Sequence, residues 1–188
     1  MQFNMHRNLE GLHAPFSPSQ SAWLRYDDER VLEAYSNKRA AELGTRLHAW
    51  AKETIDLGIR MPRTNRTLDA YVNDAIGFKM ATEVVLFYSP RFFGTADAIS
   101  FRNKFLRIHD LKTGKVGKIE KHIEQLEIYA ALFCLEYKID PHDIKIELRV
   151  YKNDEPLKHI PDPDDIVEIM DRIVYLDGLL EQLELEEG

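Results

Sequence analysis

The chain has 188 residues, a formal net charge of −7 and one cysteine, Cys134. This length suits one domain with a hydrophobic core, and a lone cysteine excludes an internal disulfide and a cysteine-ligated iron–sulfur cluster. No apolar run is long enough to span a membrane, and residues 1–13 lack the apolar stretch of a secretory signal. We therefore expect one domain over residues 1–188, in a reducing, cytoplasmic setting and without membrane association.

Acidic and basic residues are distributed unevenly along the chain. Residues 161–188 contain ten acidic residues and one basic residue, which leaves the rest of the chain with a small net positive charge. A net negative charge argues against a nucleic-acid partner, but a local basic surface restores that option. One basic stretch contains Arg60, Arg63 and Arg66. A second stretch, which we call the basic cluster, follows Lys112 and consists of Lys115, Lys118 and Lys121.

The N-terminal part, over about 16–80, is predicted to be helical. A serine-rich start at 17–19 caps a first helix over about 20–35. Apolar residues at helical spacing predict a second helix over about 43–57, and a short third helix follows over about 68–78.

Three strands and a long helix are predicted next. Residues 83–88 form a β-branched and aromatic run that is typical of a strand. Residues 94–101 and 105–112 are predicted to pair as a hairpin, with residues 102–104 as its turn. An amphipathic pattern predicts a helix over about 118–138.

The C-terminal part is predicted to contain one more strand and one more helix. Residues 144–151 alternate as a strand, residues 153–163 are a proline-containing loop, and an acidic helix follows over about 164–187. The heptad-like apolar spacing of this helix fits packing against the domain itself or a dimer seam. The element order predicts an α/β fold with a central mixed sheet of about four strands flanked by helices.

The predicted hairpin sets two carboxylates opposite each other. The register that pairs Ile99 with Ile108, and Phe101 with Leu106, also pairs the two acids. Directly opposed like charges destabilise a sheet, and two carboxylates in one site raise a pKa unless a cation intervenes. A lysine two residues after the second acid projects from the same face. Two acids, a lysine and a divalent metal are the parts of a phosphodiester-cleaving site. These residues are Asp97, Asp110 and Lys112.

Three further polar residues are candidates for the same site. His48 lies on the second predicted helix and is either structural or a ligand for Mg²⁺ or Mn²⁺ beside the carboxylates. Gln125 and Tyr129 are four residues apart and share a helix face. This pair either caps a strand end or contacts a phosphate or a base.

Four short motifs occur in a fixed order, namely GTRLH at 44–48, GTAD at 94–97, DLKTG at 110–114 and QLEIYA at 125–130. With a step of thirteen residues from Asp97 of the second motif to Asp110 of the third, this order resembles the RecB-like branch of the PD-(D/E)XK nuclease superfamily. The resemblance covers about residues 16–151. It implies a restriction-endonuclease-like core and the type of stand-alone phage or bacterial exonuclease that lacks an iron–sulfur cluster.

The resemblance also implies a role for each matching residue. Lys112 would position or activate the attacking water and stabilise charge on the phosphate, and Gln125 and Tyr129 would shape the site or hold the DNA backbone. The role of Glu83, on the first predicted strand, stays open. The implied metal ligands are His48, Asp97, Asp110 and the backbone carbonyl of Leu111.

The leading expectation is a Mg²⁺- or Mn²⁺-dependent DNA exonuclease of recombination, repair or phage DNA processing, in a bacterial cell or a phage-infected host. The basic cluster would track the DNA backbone. The alternative is a non-catalytic DNA-binding or assembly subunit, whose acidic C-terminal helix docks a recombination or single-strand-binding protein or forms a homo-oligomer. A hydrolase for other substrates is disfavoured, because the chain has no glycine-rich phosphate loop and no recognisable Ser/His/Asp set.

Overall fold

The computed structural model describes Arg7 and residues 14–113, 119–152 and 155–187. By its backbone contacts the chain divides into two compact units, Met1–Thr45 and Arg46–Gly188. The boundary between them falls within one long helix.

The first unit contains a 3₁₀ helix and the start of this long helix. The 3₁₀ helix spans Pro18–Arg25, and the extended backbone of Tyr26 ends it. Helix α1 then spans Asp28–Asp56. The Asp27 carboxylate accepts a hydrogen bond of 2.8 Å from the amide of Arg30, which satisfies one of the free donors at the start of α1.

The prediction of two separate helices over about 20–35 and 43–57 is wrong. The segment between them, residues 36–42, contains neither glycine nor proline, so the helical hydrogen bonds continue through it as part of α1. The early part of the first predicted helix is the 3₁₀ helix instead.

The second unit is built around a five-stranded mixed sheet in the order β1-β2-β3-β4-β5. Neighbouring strands are antiparallel except β3 and β4, which are parallel and joined through helix α3. The strands are β1 (Ala81–Ser89), β2 (Phe92–Arg102), β3 (Phe105–Leu111), β4 (Lys145–Lys152) and β5 (Glu155–His159). The helices of this unit besides the end of α1 are α2 (Thr67–Gly77), α3 (Ile119–Tyr137), a 3₁₀ turn (Pro141–Asp143) and α4 (Pro163–Glu187).

Each face of the sheet packs against helices. On one face Ile108 and Leu148 pack with Leu126 of α3 and Ile166 of α4. On the other face, Leu111 and Tyr151 pack with residues of α2 and of the end of α1, including Val72, Ala75 and Ile55. The expectation of an α/β fold with helices flanking a mixed sheet is confirmed, whereas the expected count of about four strands is wrong.

The strand that the sequence analysis missed is β5, within the predicted loop 153–163. It contains Pro156, which lacks the amide hydrogen that a central strand would need. Because β5 lies at the edge of the sheet, the proline is tolerated there. The proline therefore led to the prediction of a loop where the structure has an edge strand.

The predicted register of the hairpin is confirmed at residues 99–101 and 106–108. Its turn has two residues, Asn103 and Lys104, with φ of 52° and 59°. Two positive φ angles are typical of a type I′ turn, whose twist matches that of the strands. Arg102 pairs with the first residue of β3, so its assignment to the turn is wrong.

Helix α4 packs against α3 and the 3₁₀ turn, and only part of its length is buried. Ile166 and Ile173 are buried in one core cluster with residues of the sheet and of α3. Leu180 and Leu183, at the other end of the predicted seam, are exposed. Within the described part of the chain, no helix combines the length and the apolar character that a membrane span requires.

Candidate metal centre and catalytic site

Asp97 and Asp110 lie at the end of the β2–β3 hairpin, one step beyond Ala98 and His109, the last pair of that ladder. Asp110 is buried and Asp97 is half-buried. Burial, followed by the negative charge of Asp110, raises the pKa of Asp97 to about 6. The two acids therefore share one site, and the charge of Asp110 opposes the ionisation of Asp97.

Asp97 has two close polar neighbours. Its Oδ2 accepts a hydrogen bond of 3.0 Å from the amide of Leu111 and lies 3.4 Å from Nδ1 of His48, on α1. Both neighbours favour the ionised carboxylate, but their effect is smaller than that of burial. The structure thus brings His48, Asp97 and Leu111 together.

Asp110 anchors a second group of predicted residues. Its Oδ1 lies 2.9 Å from Nζ of Lys112, and this ammonium also donates to Oε1 of Gln125 at 3.3 Å. Nε2 of Gln125 donates in turn to the hydroxyl of Tyr129 at 3.2 Å. A chain of polar contacts therefore links α3 to the end of β3 and holds the lysine beside the carboxylate.

One oxygen of this group has no hydrogen bond. Oδ2 of Asp110 is buried and has no partner among the described residues. A buried carboxylate oxygen without a partner destabilises the folded state, because it has lost its hydrogen bonds to water and forms none within the protein. A bound cation is one group that would satisfy it.

Glu83 adds a carboxylate to the site that the sequence analysis left without a role. One ligand atom each from His48, Glu83 and Asp97 lie within 4.8 Å of one another. Glu83 falls between two paired positions of the β1–β2 ladder and has a φ of 51°, which is strained for a residue with a side chain. The signal for Glu83 is its position opposite Asp97, between the pairs Thr82–Ala98 and Val84–Ala96, which becomes visible only when β1 and β2 are aligned.

The cluster of His48, Glu83 and Asp97 overlaps with the predicted ligand set without being identical to it. Both contain His48 and Asp97. The cluster adds Glu83, whereas Asp110 lies beside it and pairs with Lys112. The carbonyl of Leu111 as a ligand stays a prediction.

Two further residues approach the acids only because of the fold. The buried Tyr71 of α2 has a raised pKa, because of its burial first and then because of the charges of Asp97 and Asp110. His122, three residues before Gln125, has a lowered pKa because of burial and the charge of Lys112, and its Nε2 has no hydrogen-bond partner in the described part of the chain. Nothing local in the sequence distinguishes either residue.

Gly94, the first residue of the GTAD motif, makes room for Tyr129. A Cβ atom at Gly94 would lie 2.7 Å from Cε1 of the tyrosine ring, which is closer than real contacts allow. The glycine therefore lets α3 approach β2 closely and sets the position of Tyr129, which bonds Gln125.

The lysines of the basic cluster are only partly described. Lys121 is exposed on α3. Lys115 and Lys118 lie outside the described residues, so their predicted contact with DNA stays a prediction.

A comparison with family models finds a match to part of this chain. Residues 83–148 match the model of a family described as "Protein of unknown function (DUF2800)". The matched segment begins at Glu83 and includes the hairpin and α3, but it excludes His48. No curated protein and no solved structure is significantly similar to the chain.

Proposed function

We propose that this chain is a metal-dependent DNA exonuclease of the RecB-like PD-(D/E)XK type, with a restriction-endonuclease-like core. The single observation that carries the proposal is the juxtaposition of Asp97, Asp110 and Lys112 at the end of one hairpin. A buried acid whose charge raises the pKa of a neighbouring acid, with a lysine ammonium 2.9 Å away from it, is poorly explained as a surface salt bridge.

The donor atoms fit a hard divalent cation. His48, Glu83 and Asp97 offer a nitrogen and two carboxylates within 4.8 Å, and Oδ2 of Asp110 needs a partner. Oxygen-rich donor sets with an imidazole suit Mg²⁺ or Mn²⁺ better than softer metals. When bound there, a divalent ion lowers the pKa of a water molecule and offsets negative charge that develops on the phosphate.

The residues of the chain supply orientation and charge. The ammonium of Lys112, held between Asp110 and Gln125, would donate to a non-bridging phosphate oxygen or to the attacking water. The hydrogen bond from Gln125 to Tyr129 fixes the orientation of the Gln125 side-chain amide, whose oxygen accepts from Lys112. His48, Glu83 and Asp97 would hold the metal together with Asp110.

The substrate class is DNA in this proposal, because the lysines that follow the site carry the charge that a phosphate backbone requires. Lys121 is exposed on the same helix as Gln125. Recombination, repair or phage DNA processing is the setting that we propose for the reaction.

The test is digestion of DNA labelled at either end, single- and double-stranded and linear and circular, with Mg²⁺, Mn²⁺ or EDTA. We expect Asp97→Asn and Lys112→Ala to lower the rate by about 100-fold or more, because each removes a group that acts on transition-state charge. Asp143→Asn and Lys145→Ala, which change exposed residues far along the chain from the motifs, are the matched controls and should digest normally.

Equal rates for Asp97→Asn, Lys112→Ala and the wild-type chain would contradict the proposal. DNA binding in a gel shift without cleavage in either metal would instead support the alternative, a non-catalytic DNA-binding subunit. Cleavage of linear but not circular DNA would support an exonuclease over an endonuclease.

A further inference from the structure

A concave site lies between the end of α2 and the β2–β3 turn. Its cavity volume is about 390 Å³. The charged side chains that line it are Lys79, Arg102 and Arg107, and the aromatic ones are Phe78 and Phe105. No acidic side chain is among its described lining residues.

This pocket is separate from the candidate metal centre. Phe105 begins β3 and Asp110 follows five residues later, a distance of about 17 Å along an extended strand. Arg107 and Asp110 also project from opposite faces of the strand, because their separation is an odd number of residues. One small ligand therefore cannot occupy both sites.

Arg107 is held in place by aromatic rings. Its guanidinium carbon lies 3.6 Å from the ring centroid of Phe105 and 4.5 Å from that of Phe78. A guanidinium stacked in this way is oriented before a ligand arrives, so that less conformational entropy is lost on binding.

One hydrogen-bond donor of Arg107 is unsatisfied within the described part of the protein. Its buried Nε has no hydrogen-bond partner there, since the nearest ion-pair atom, Oε1 of Glu147, is 3.6 Å away. Glu147 also contacts Arg149 and Lys158, so one carboxylate faces three cations. The charge of Arg107 is thus incompletely neutralised.

The other two cations of the pocket add to this positive potential. Lys79 and Arg102 are exposed, and neither has an ion-pair partner within 4 Å among the residues that the structure describes. Three cations at one pocket favour a ligand that carries more than one negative charge. A phosphate group has that charge and matches the planar donors of a guanidinium.

We propose that this pocket binds a phosphate group, with Arg107 at its base and Lys79 and Arg102 at its rim. The site is independent of the metal centre and of the proposed nuclease activity. The phosphate belongs to a free anion or to a nucleotide, and the arms of the test distinguish these sources.

The experiment measures binding by titration calorimetry at constant ionic strength, with EDTA present so that no metal ion bridges a phosphate to the carboxylates. The probes are inorganic phosphate, a nucleoside monophosphate and a short oligonucleotide with a 5′-phosphate or a 5′-hydroxyl. We expect the double variant Lys79→Gln/Arg102→Gln to bind the preferred probe about tenfold more weakly or worse. Arg107→Lys, which keeps the charge and loses the planar fork, should also weaken binding.

The matched control is Lys145→Gln, which removes the same charge from an exposed lysine outside the pocket lining. If Lys145→Gln weakens binding as much as the pocket variants do, the attraction is unspecific and the proposal fails. It also fails if the wild-type chain binds none of the probes. Urea unfolding of each variant separates loss of binding from loss of fold.

The probes then identify the source of the phosphate. Pocket-dependent binding of the 5′-phosphorylated oligonucleotide or the nucleoside monophosphate, in preference to inorganic phosphate, supports a nucleotide ligand. Equal pocket-dependent binding of inorganic phosphate supports a free anion.

Discussion

Asp97 is the residue at which stability and the proposed activity conflict. Burial and the charge of Asp110 raise its pKa from 3.8 to about 6, in spite of the Leu111 amide and His48. A carboxyl group with a raised pKa binds its proton more tightly in the folded state than in the unfolded state. Its contribution to the free energy of unfolding is therefore present below about pH 4 and is lost as the pH rises through about 6.

Without metal, Asp97→Asn should be more stable than the wild-type chain at about pH 8. A rise of about two pKa units corresponds to about 3 kcal/mol at most, and asparagine keeps an oxygen that accepts the Leu111 hydrogen bond. The difference should develop between about pH 4 and 6 and stay constant above that range. Urea unfolding in EDTA at about pH 4 and 8 measures it.

Asp143→Asn, at an exposed carboxylate, serves as the control and should change stability little at either pH. A wild-type chain that is more stable than Asp97→Asn at about pH 8 in EDTA would show that Asp97 and Asp110 do not repel each other. Added Mg²⁺ should stabilise the wild-type chain and not Asp97→Asn, because ligands that bind only the folded state raise its stability.

The residues of the site divide into those that the sequence could predict and those that it could not. Three residues could be predicted, because the alternation of side chains along a strand and the position of one turn determine where they lie relative to one another. These residues are Asp97, Asp110 and Lys112. Glu83 and His122 could not be predicted, because their approach depends on the packing of β1 against β2 and of α3 against β3. Local patterns thus predict neighbours within a hairpin, while partners from distant elements require the fold.

At the scale of elements, the contact between α3 and β2 depends on Gly94. Gly94→Ala should destabilise the fold by about 1–3 kcal/mol, because the new Cβ would overlap the ring of Tyr129 at 2.7 Å. The displaced ring should also disturb its hydrogen bond with Gln125, and so slow any DNA cleavage that depends on Lys112. Urea unfolding and the DNA digestion assay measure the two effects.

A double-mutant cycle makes this prediction specific. In a Tyr129→Ala background the ring is gone, so Gly94→Ala should cost much less than it does in the wild-type chain. An equal loss of unfolding free energy in both backgrounds would mean that the methyl group destabilises the strand itself and that overlap with the ring is not the cause. Gly178→Ala in α4 is the matched control, since nothing lies within 4 Å of its added Cβ, and it should not destabilise.

The elements that were predicted correctly have a strong local signal. Strands β1 to β4 follow from β-branched runs and alternation, and α3 follows from its amphipathic pattern. The failures occurred where local and global preferences differ. Strand β5 can form because its position at the edge of the sheet tolerates a proline. Helix α1 is continuous because the polar segment in its middle contains no helix-breaking residue.

At the scale of the whole molecule, α4 combines a packed half with an exposed half. Ile173 is 5% exposed and lies in the core with α3, whereas Leu183 is 49% exposed. Residues 161–188, most of which belong to α4, also contain ten acidic residues and one basic residue. The apolar spacing of α4 therefore serves the fold of one chain in its first half, and the oligomer seam stays a prediction for its second half.

Alanine substitutions at the two ends of α4 separate these roles. In a monomeric chain, Ile173→Ala should lower the free energy of unfolding by about 2–4 kcal/mol and Leu183→Ala by less than about 1 kcal/mol. Only the first substitution leaves a cavity in a packed core. Urea unfolding at low and high protein concentration measures both costs. A large cost for Leu183→Ala that appears only at high concentration would mean that a second copy buries this leucine, because only association makes stability depend on concentration. A small cost at every concentration would leave the exposed half of α4 without a role in self-association.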